Sequence, residues 1–379
     1  MSSPSGTFTI TGSQALEGPG TNYFWLAYDI AASAPTGNVV DAQCSSVTVG
    51  GTGHTPTVTN PAGNRSIIAP MNGLYTINPT GSGTRNFTSF NAAVADLLVY
   101  GVGGPVTFDV AAATYTEQVD IPEILGASAA NTITFDGGTG NAASRILQYA
   151  APQYQAVVTL NGVDYVRFRN LTINSTDPDY GYAFLVTGQA DYNEITGCVM
   201  TFPSNSSSYY HQGVCASSTS SYSTYGNHGN YNLIKDNTIT SPGYYGMRWN
   251  GSSSTSLTES VGNQFINNTM TDFYYYGLYL YYSSGIRVIG NTVIQRSTGT
   301  YTTSSGYAIY VYYPNDGPIV ANNYAEAHYN PMRVYYINNA TNSTANRGMV
   351  YNNTLVGVGT STMYGLYVSY AEYADVVYN

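Results

Sequence analysis

Charge is what this sequence has least of. Only 8% of its 379 residues are Asp, Glu, Lys or Arg, against about 25% in an ordinary soluble domain. There is a single lysine, Lys235, and 11 cations in all stand against 21 acids, for a net charge of −10. So few cations cannot track a phosphate backbone, which excludes a nucleic-acid partner. Long apolar runs are also missing: none reaches the ~18 residues of a membrane span. Cysteine is scarce. Cys44, Cys198 and Cys215 make neither a disulfide scaffold nor a metal-ligand spacing, so no metal and no cofactor is expected. A leader pattern is absent as well, since Met1 is followed by Ser2, Ser3 and Pro4 without a basic or apolar segment.

What is present is tyrosine, 39 residues of it, and glycine, 40 residues. Hydrophobic residues make up 43% of the chain, which excludes charge-rich disorder. A surface of Ser, Thr, Asn, Gly and Tyr suits an extracellular or cell-surface location.

Residues 1–66 read as short strands, Phe8–Ile10, Tyr23–Ala27 and Val47–Val49, between Gly, Pro and Ser. So few apolar side chains make a poor independent core. The run from Thr21 to Ile30, followed by Gly37-Asn38-Val39-Val40-Asp41-Ala42, resembles the second half of the β-sandwich found beside bacterial sialidase propellers. It is also similar to modules of large secreted surface proteins of Bacteroidota. The resemblance implies a chain that starts inside a domain, as a piece of a longer secreted protein. Residues 67–88, with Pro70, Gly73, Pro79, Gly81 and Gly83, read as a linker or edge segment. Over 89–100, the spacing of Phe90, Ala93, Val94, Leu97 and Leu98 predicts one amphipathic helix, started by Ser89 and closed by Gly101.

From Pro105 onward a repeat dominates. Its first element is a hydrophobic pair, Asn, one residue and another hydrophobic. It reads Leu233-Ile234-Lys235-Asp236-Asn237-Thr238-Ile239, Phe265-Ile266-Asn267-Asn268-Thr269-Met270 and Val288-Ile289-Gly290-Asn291-Thr292-Val293, among other copies. The positions 170, 197, 237, 268, 291, 323 and 353 read as equivalent, with steps of 27, 40, 31, 23, 32 and 30 residues. A second element alternates with it: Gly277-Leu278-Tyr279-Leu280-Tyr281-Tyr282, Ala308-Ile309-Tyr310-Val311-Tyr312-Tyr313, Pro331-Met332-Arg333-Val334-Tyr335-Tyr336 and Gly365-Leu366-Tyr367-Val368-Ser369-Tyr370. Most steps are too short for propeller blades of about 40–45 residues.

A right-handed parallel β-helix of about ten coils over 89–379, capped by the helix, accommodates both elements and their variable corners. Equivalent residues stack coil on coil, so charge columns are disfavoured and inward Asn can form an amide ladder. This part of the chain resembles secreted right-handed parallel β-helix proteins. Its opening segment, Thr114-Tyr115-Thr116-Glu117-Gln118-Val119-Asp120-Ile121-Pro122, looks like that of pectin-active β-helix enzymes, which share a Tyr-x-Glu segment. Asn379 falls where Asn291 falls in its own copy, so the chain is expected to end mid-coil. The edge there would be covered by further sequence, another copy or a partner.

Catalytic candidates are sparse. No Asp-Asp pair, Asn-Thr-Asp, Gly-His-Gly or Gln-Asp-Thr run is present, and the acids of the repeat region are scattered. Asp177 and Asp179 flank Pro178 as a solvated turn would. Glu326, His328 and Arg333 are near in sequence and offer an acid–base pair only if the fold brings them together. Cys198 and Cys215 read as buried thiols.

Strand alternation then places Tyr279, Tyr281, Tyr310, Tyr312, Arg333, Tyr335 and Tyr367 outward, with Arg248 beside them, while Tyr282, Tyr313, Tyr336 and Tyr370 have inward parity and fall at a corner of the coil. Three readings are open: cross-strand stabilisation, a binding face for glycan or another surface polymer, or packing against another chain or domain. The expectation is a non-catalytic structural or adhesive module that binds through this face. The alternative is a polysaccharide lyase or glycoside hydrolase.

Overall fold

The computed structural model describes residues 9–16, 20–23, 30–31, 34–226, 228–251, 260–297, 305–338, 346–360 and 363–379. The chain forms two units, Met1–Ile68 and Ala69–Asn379.

In the first unit Val39–Val40 pairs antiparallel with Arg65–Ser66, and Val47–Val49 with Thr52–His54. None of its described residues is buried. The other two expected strands fall largely outside the described residues: Phe8 and 24–27 are not described, and Ile10 and Tyr23 are exposed and outside any strand.

The second unit is a right-handed parallel β-helix. Sheet I has 12 strands and sheets II and III have nine each. A representative coil runs through Val166–Arg169 in sheet I, Thr172–Ser175 in sheet II and Tyr182–Thr187 in sheet III, then returns to sheet I at Glu194–Thr196. Two sheet I strands, Met71–Ile77 and Asn86–Phe87, precede the helix, and the remaining ten of the 12 mark ten coils. From Ala69 on, the segment expected as linker or edge is therefore an edge, with Met71–Ile77 paired to Val102–Val110.

Alternation fills the interior. Phe108, Phe135 and Phe168 stack at 4.9 Å in successive coils, and Ile195, Ile234, Phe265, Val288, Val320 and Val350 continue their register. The helix Phe90–Tyr100 closes the N-terminal end with Phe90, Ala93, Val94 and Leu97 inward. Ser89 Oγ accepts from the Ala92 N–H, and the carboxylate of Glu117 accepts from the N–H groups of Phe90 and Asn91. The Tyr-x-Glu segment is thus structural here. Tyr115 Oη donates to the Ile77 and Ala111 carbonyls while Glu117 caps the helix dipole.

One register expectation is corrected. Asn237, Asn268, Asn291, Asn323 and Asn353 form a buried ladder that ends on the exposed Asn379, but its earlier rungs are Leu171 and Cys198, not Asn170 and Gly197. Asn170 and Gly197 belong one residue earlier, with Asp236, Asn267, Gly290, Asn322 and Asn352, in a left-handed corner at φ 54° to 70°. Two columns of polar residues sit side by side there, so spacing alone could not separate them. In the ladder each amide Nδ2 donates to a carbonyl of the preceding coil, as Asn291 does to Phe265. Cys198 takes the same role with its thiol, which points to the Phe168 carbonyl at 3.5 Å, while its N–H donates to Asn237 Oδ1.

Candidate functional site: the tyrosine array of sheet III

Sheet III carries the second repeat element. Leu278, Leu280, Ile309, Val311, Met332 and Val334 are fully buried. Their neighbours face away from the core and stack in four columns. The first is Tyr245, Tyr276 and Tyr307. The second is Arg248, Tyr279, Tyr310, Arg333 and Tyr367. The third is Tyr281, Tyr312 and Tyr335, preceded by Asn250 and followed by Ser369. The fourth is Tyr282, Tyr313, Tyr336 and Tyr370.

The fourth column overturns the inward parity expected from alternation. Its four residues have φ of 48°, 53°, 60° and 51°. A left-handed residue breaks the two-residue period, so Tyr281 and Tyr282, adjacent in sequence, both leave the core. A bulky residue in that region is an outlier, costing on the order of 1–2 kcal/mol. The sequence signal is the doubled Tyr-Tyr at the same offset in three copies, together with Tyr276 and Tyr307 as the first residues of their strands. Neither was read as part of the face.

The rings are packed in rows. Column neighbours Tyr276–Tyr307, Tyr279–Tyr310 and Tyr281–Tyr312 lie 5.1, 5.2 and 4.7 Å apart with planes within 14°. The fourth column is tighter, at 4.5, 4.3 and 4.7 Å with planes 3°, 3° and 13° apart. Across the columns, Tyr279 and Tyr281 are parallel at 5.9 Å, whereas Tyr281 and Tyr282 meet at 84°. Each interior ring has its faces against its column neighbours and turns its edge outward. Burial pushes the phenols of Tyr307 and Tyr312 up to about 12 and raises those of Tyr279 and Tyr281 too. These four phenols are therefore neutral hydroxyls at physiological pH.

The two arginines differ. Arg248 is 5% exposed, held by its Nε–H to Asn250 Oδ1 and enclosed by the rings of Tyr222, Tyr245 and Tyr279. Arg333 is half-buried among Tyr310, Tyr335 and Tyr367, 4.7–5.5 Å from their centroids. No ion pair among the described residues includes it.

No second site assembles from the other candidates. Glu326 accepts from Tyr324 Oη on sheet II, while His328 is buried with Nε2 donating to the Arg296 carbonyl, so they form no acid–base pair. Asp177 Oδ1 accepts from the N–H groups of Asp179 and Tyr180, an Asx-type turn. His211 is buried, bonded to Ser206 and to the carbonyls of Asp177 and Tyr180. Among the described residues no group of three or more His, Cys, Asp or Glu could hold a metal. Glu259 lies outside the described residues.

The fold has relatives of known structure. The chain is similar to a rhamnogalacturonan lyase at 13% identity and a TM-score of 0.52, over 80% of this chain and 86% of that one. It is also similar to the pectate lyase Pel9A, at 15% identity and a TM-score of 0.48, over 80% and 78% of the two chains. A third similar structure is a pectin methylesterase from Erwinia chrysanthemi, at 11% identity and a TM-score of 0.38, over 78% and 80%. Comparison with protein-family models and with curated protein sequences returns no match. At these identities the likeness establishes the parallel β-helix and leaves function to the site.

Proposed function

We propose that this chain is a non-catalytic, carbohydrate-binding module of a larger secreted or cell-surface protein of the Bacteroidota type, with residues 1–66 as part of a sandwich module. The tyrosine array of sheet III is its binding face, and Tyr279, Tyr281, Tyr310, Tyr312, Arg333, Tyr335 and Tyr367 make the contacts. The observation that carries this reading is the array itself: four outward columns of phenols with Arg248 and Arg333 set among them, neither in an ion pair among the described residues. Half-buried phenols packed over an area of this extent suit a contact site, and phenols combine apolar area with a hydroxyl that can donate to or accept from a sugar. Arg248 supports the array from beneath, since Tyr222 and Tyr279 cover it.

The second reading, a polysaccharide lyase or glycoside hydrolase, is favoured by the likeness to a rhamnogalacturonan lyase. Against it, the array contains no carboxylate, and Glu326 and His328 are each bonded to another partner. The experiment is to incubate the protein with acidic and neutral polysaccharides while following both retention on the polymer and chain length. Retention without shortening is expected. Shortened chains would establish the enzyme reading instead.

A further inference from the structure

We infer that the array takes the ordered face of a packed, neutral polysaccharide, a fibre or crystallite surface, in preference to a single dissolved chain. This rests on the carbohydrate-binding reading above, and four observations carry it.

The first is extent. One coil presents Tyr276, Tyr279, Tyr281 and Tyr282, and the next presents Tyr307, Tyr310, Tyr312 and Tyr313 in register. At ~3.3 Å per residue along the strand and ~4.8 Å from coil to coil, four columns over three to five coils cover roughly 20 Å by 15–20 Å. One sugar chain lies over one or two columns, whereas a layer of packed chains meets all four.

The second is ring orientation. Parallel rings 4.3–5.3 Å apart cover one another's faces. A dissolved sugar that binds by laying its apolar side on an aromatic plane finds only edges and hydroxyls here. Those edges recur at fixed intervals in two directions. Only a ligand with a fixed repeat of its own engages many of them together without losing the conformational freedom that a flexible chain must give up.

The third is the left-handed column. At the sheet I corner the same backbone region is filled by Asn170, Asn267, Asn322 and Asn352, for which it is mild. At the end of sheet III it is filled in successive coils by Tyr282, Tyr313, Tyr336 and Tyr370. The effect is to widen the array by a full column; a shorter left-handed stack of Tyr165, Tyr192 and Tyr231 stands at the corner entering sheet I.

The fourth is charge. None of the four columns contains Asp or Glu. The planar guanidinium of Arg333 stands in a tyrosine place between Tyr310 and Tyr367, which keeps the array flat. A flat, nearly uncharged donor and acceptor lattice is complementary to a neutral hydroxyl-bearing solid.

The test is depletion from solution by crystalline cellulose, chitin and mannan. Each is set beside its swollen, amorphous form at matched surface area, and calorimetry uses the soluble hexaose of each sugar. At least one crystalline solid should hold the protein about tenfold more tightly than its amorphous form, and the hexaose about a hundredfold less tightly. Tyr313→Gly with Tyr336→Gly should reduce adsorption about tenfold while the protein stays folded, because glycine accepts the backbone. Tyr313→Asn with Tyr336→Asn gives a second folded variant with the same expected loss. Equal or tighter binding of amorphous polymer or hexaose, or unchanged adsorption of both double variants, overturns the ordered-surface inference and leaves carbohydrate binding standing. Failure of every solid and every hexaose to bind removes the carbohydrate-binding reading itself.

Discussion

Tyr313 and Tyr336 stack with ring centroids 4.3 Å apart and planes 3° apart, each on a left-handed backbone at φ 53° and 60°. Their stacking is the tightest in the array, and it is built on the least comfortable backbone. The stability of this column and of its strand neighbours should therefore respond differently to truncation. Tyr313→Gly loses ring stacking worth about 1 kcal/mol but relieves a strain of similar size, so its unfolding free energy should change by less than ~1 kcal/mol. Tyr310→Gly loses its ring from an ordinary strand and adds the entropic cost of glycine, for a loss of about 2 kcal/mol or more. Urea denaturation of the two variants separates them, and equal losses would refute the strain argument.

The asparagine ladder should be costly to break. Asn291 Oδ1 accepts from the N–H and the side-chain amide of Asn268, and its own amide donates to the Phe265 carbonyl. Asn291→Ala leaves these buried groups unpaired and should cost about 2–4 kcal/mol. By contrast Cys198→Asn places an amide where a thiol now does the same work, and it should be neutral or stabilising. Thermal melts of the two variants check both outcomes.

Thiol reactivity should divide the cysteines. Burial pushes the thiols of Cys198 and Cys215 up to about 12, whereas Cys44 is exposed. A thiol-reactive chromophore should titrate one group in the native protein at pH 8 and three after denaturation. Two or three fast native thiols would contradict the burial of the ladder position.

Acid should weaken the protein through His228. Burial lowers this imidazole from 6.5 to about 4, opposed only in part by an interaction with the Asn250 backbone that raises it. Between those values the unfolded chain binds a proton that the folded chain refuses. The stability contributed is thus complete above pH 6.5 and is lost as pH falls toward 4. The loss amounts to about 3 kcal/mol. Burial lowers His211 in the same direction. His228→Gln should flatten the slope of stability against pH in this window, and an unchanged slope would remove His228 as its source.

Much of the fold was legible because a solenoid writes its register into the sequence. One residue of the hydrophobic pair before each Asn, as Ile234, Phe265 and Val288, and the Leu-x-Leu or Ile-x-Val of the second element are the inward residues of sheets I and III. The helix was legible from Phe90, Ala93, Val94 and Leu97 on one face and from Ser89, whereas Leu98, expected on that face, is exposed. Two features were not. The mixed column at Asn170 and Gly197 misled because the left-handed corner and the ladder accept similar residues side by side. The outward turn of Tyr282, Tyr313, Tyr336 and Tyr370 was hidden because alternation assumes a strand backbone, and nothing about tyrosine announces φ > 0. The edge-outward posture of the rings follows from coil-to-coil distance and is a property of the stack, which no single copy of the repeat contains. Glu117 was visible as a motif, but its partner, the start of the helix, lies 26 to 27 residues away.

The account stands or falls on whether the sheet III array is where the protein meets its ligand. The most direct measurement is adsorption of the parent and of Tyr310→Ala with Tyr312→Ala on the insoluble polysaccharide that retains the parent best, with the melting temperature followed in parallel. The account predicts adsorption reduced about tenfold or more with the fold intact. Adsorption equal to the parent, from a variant that remains folded, would contradict it.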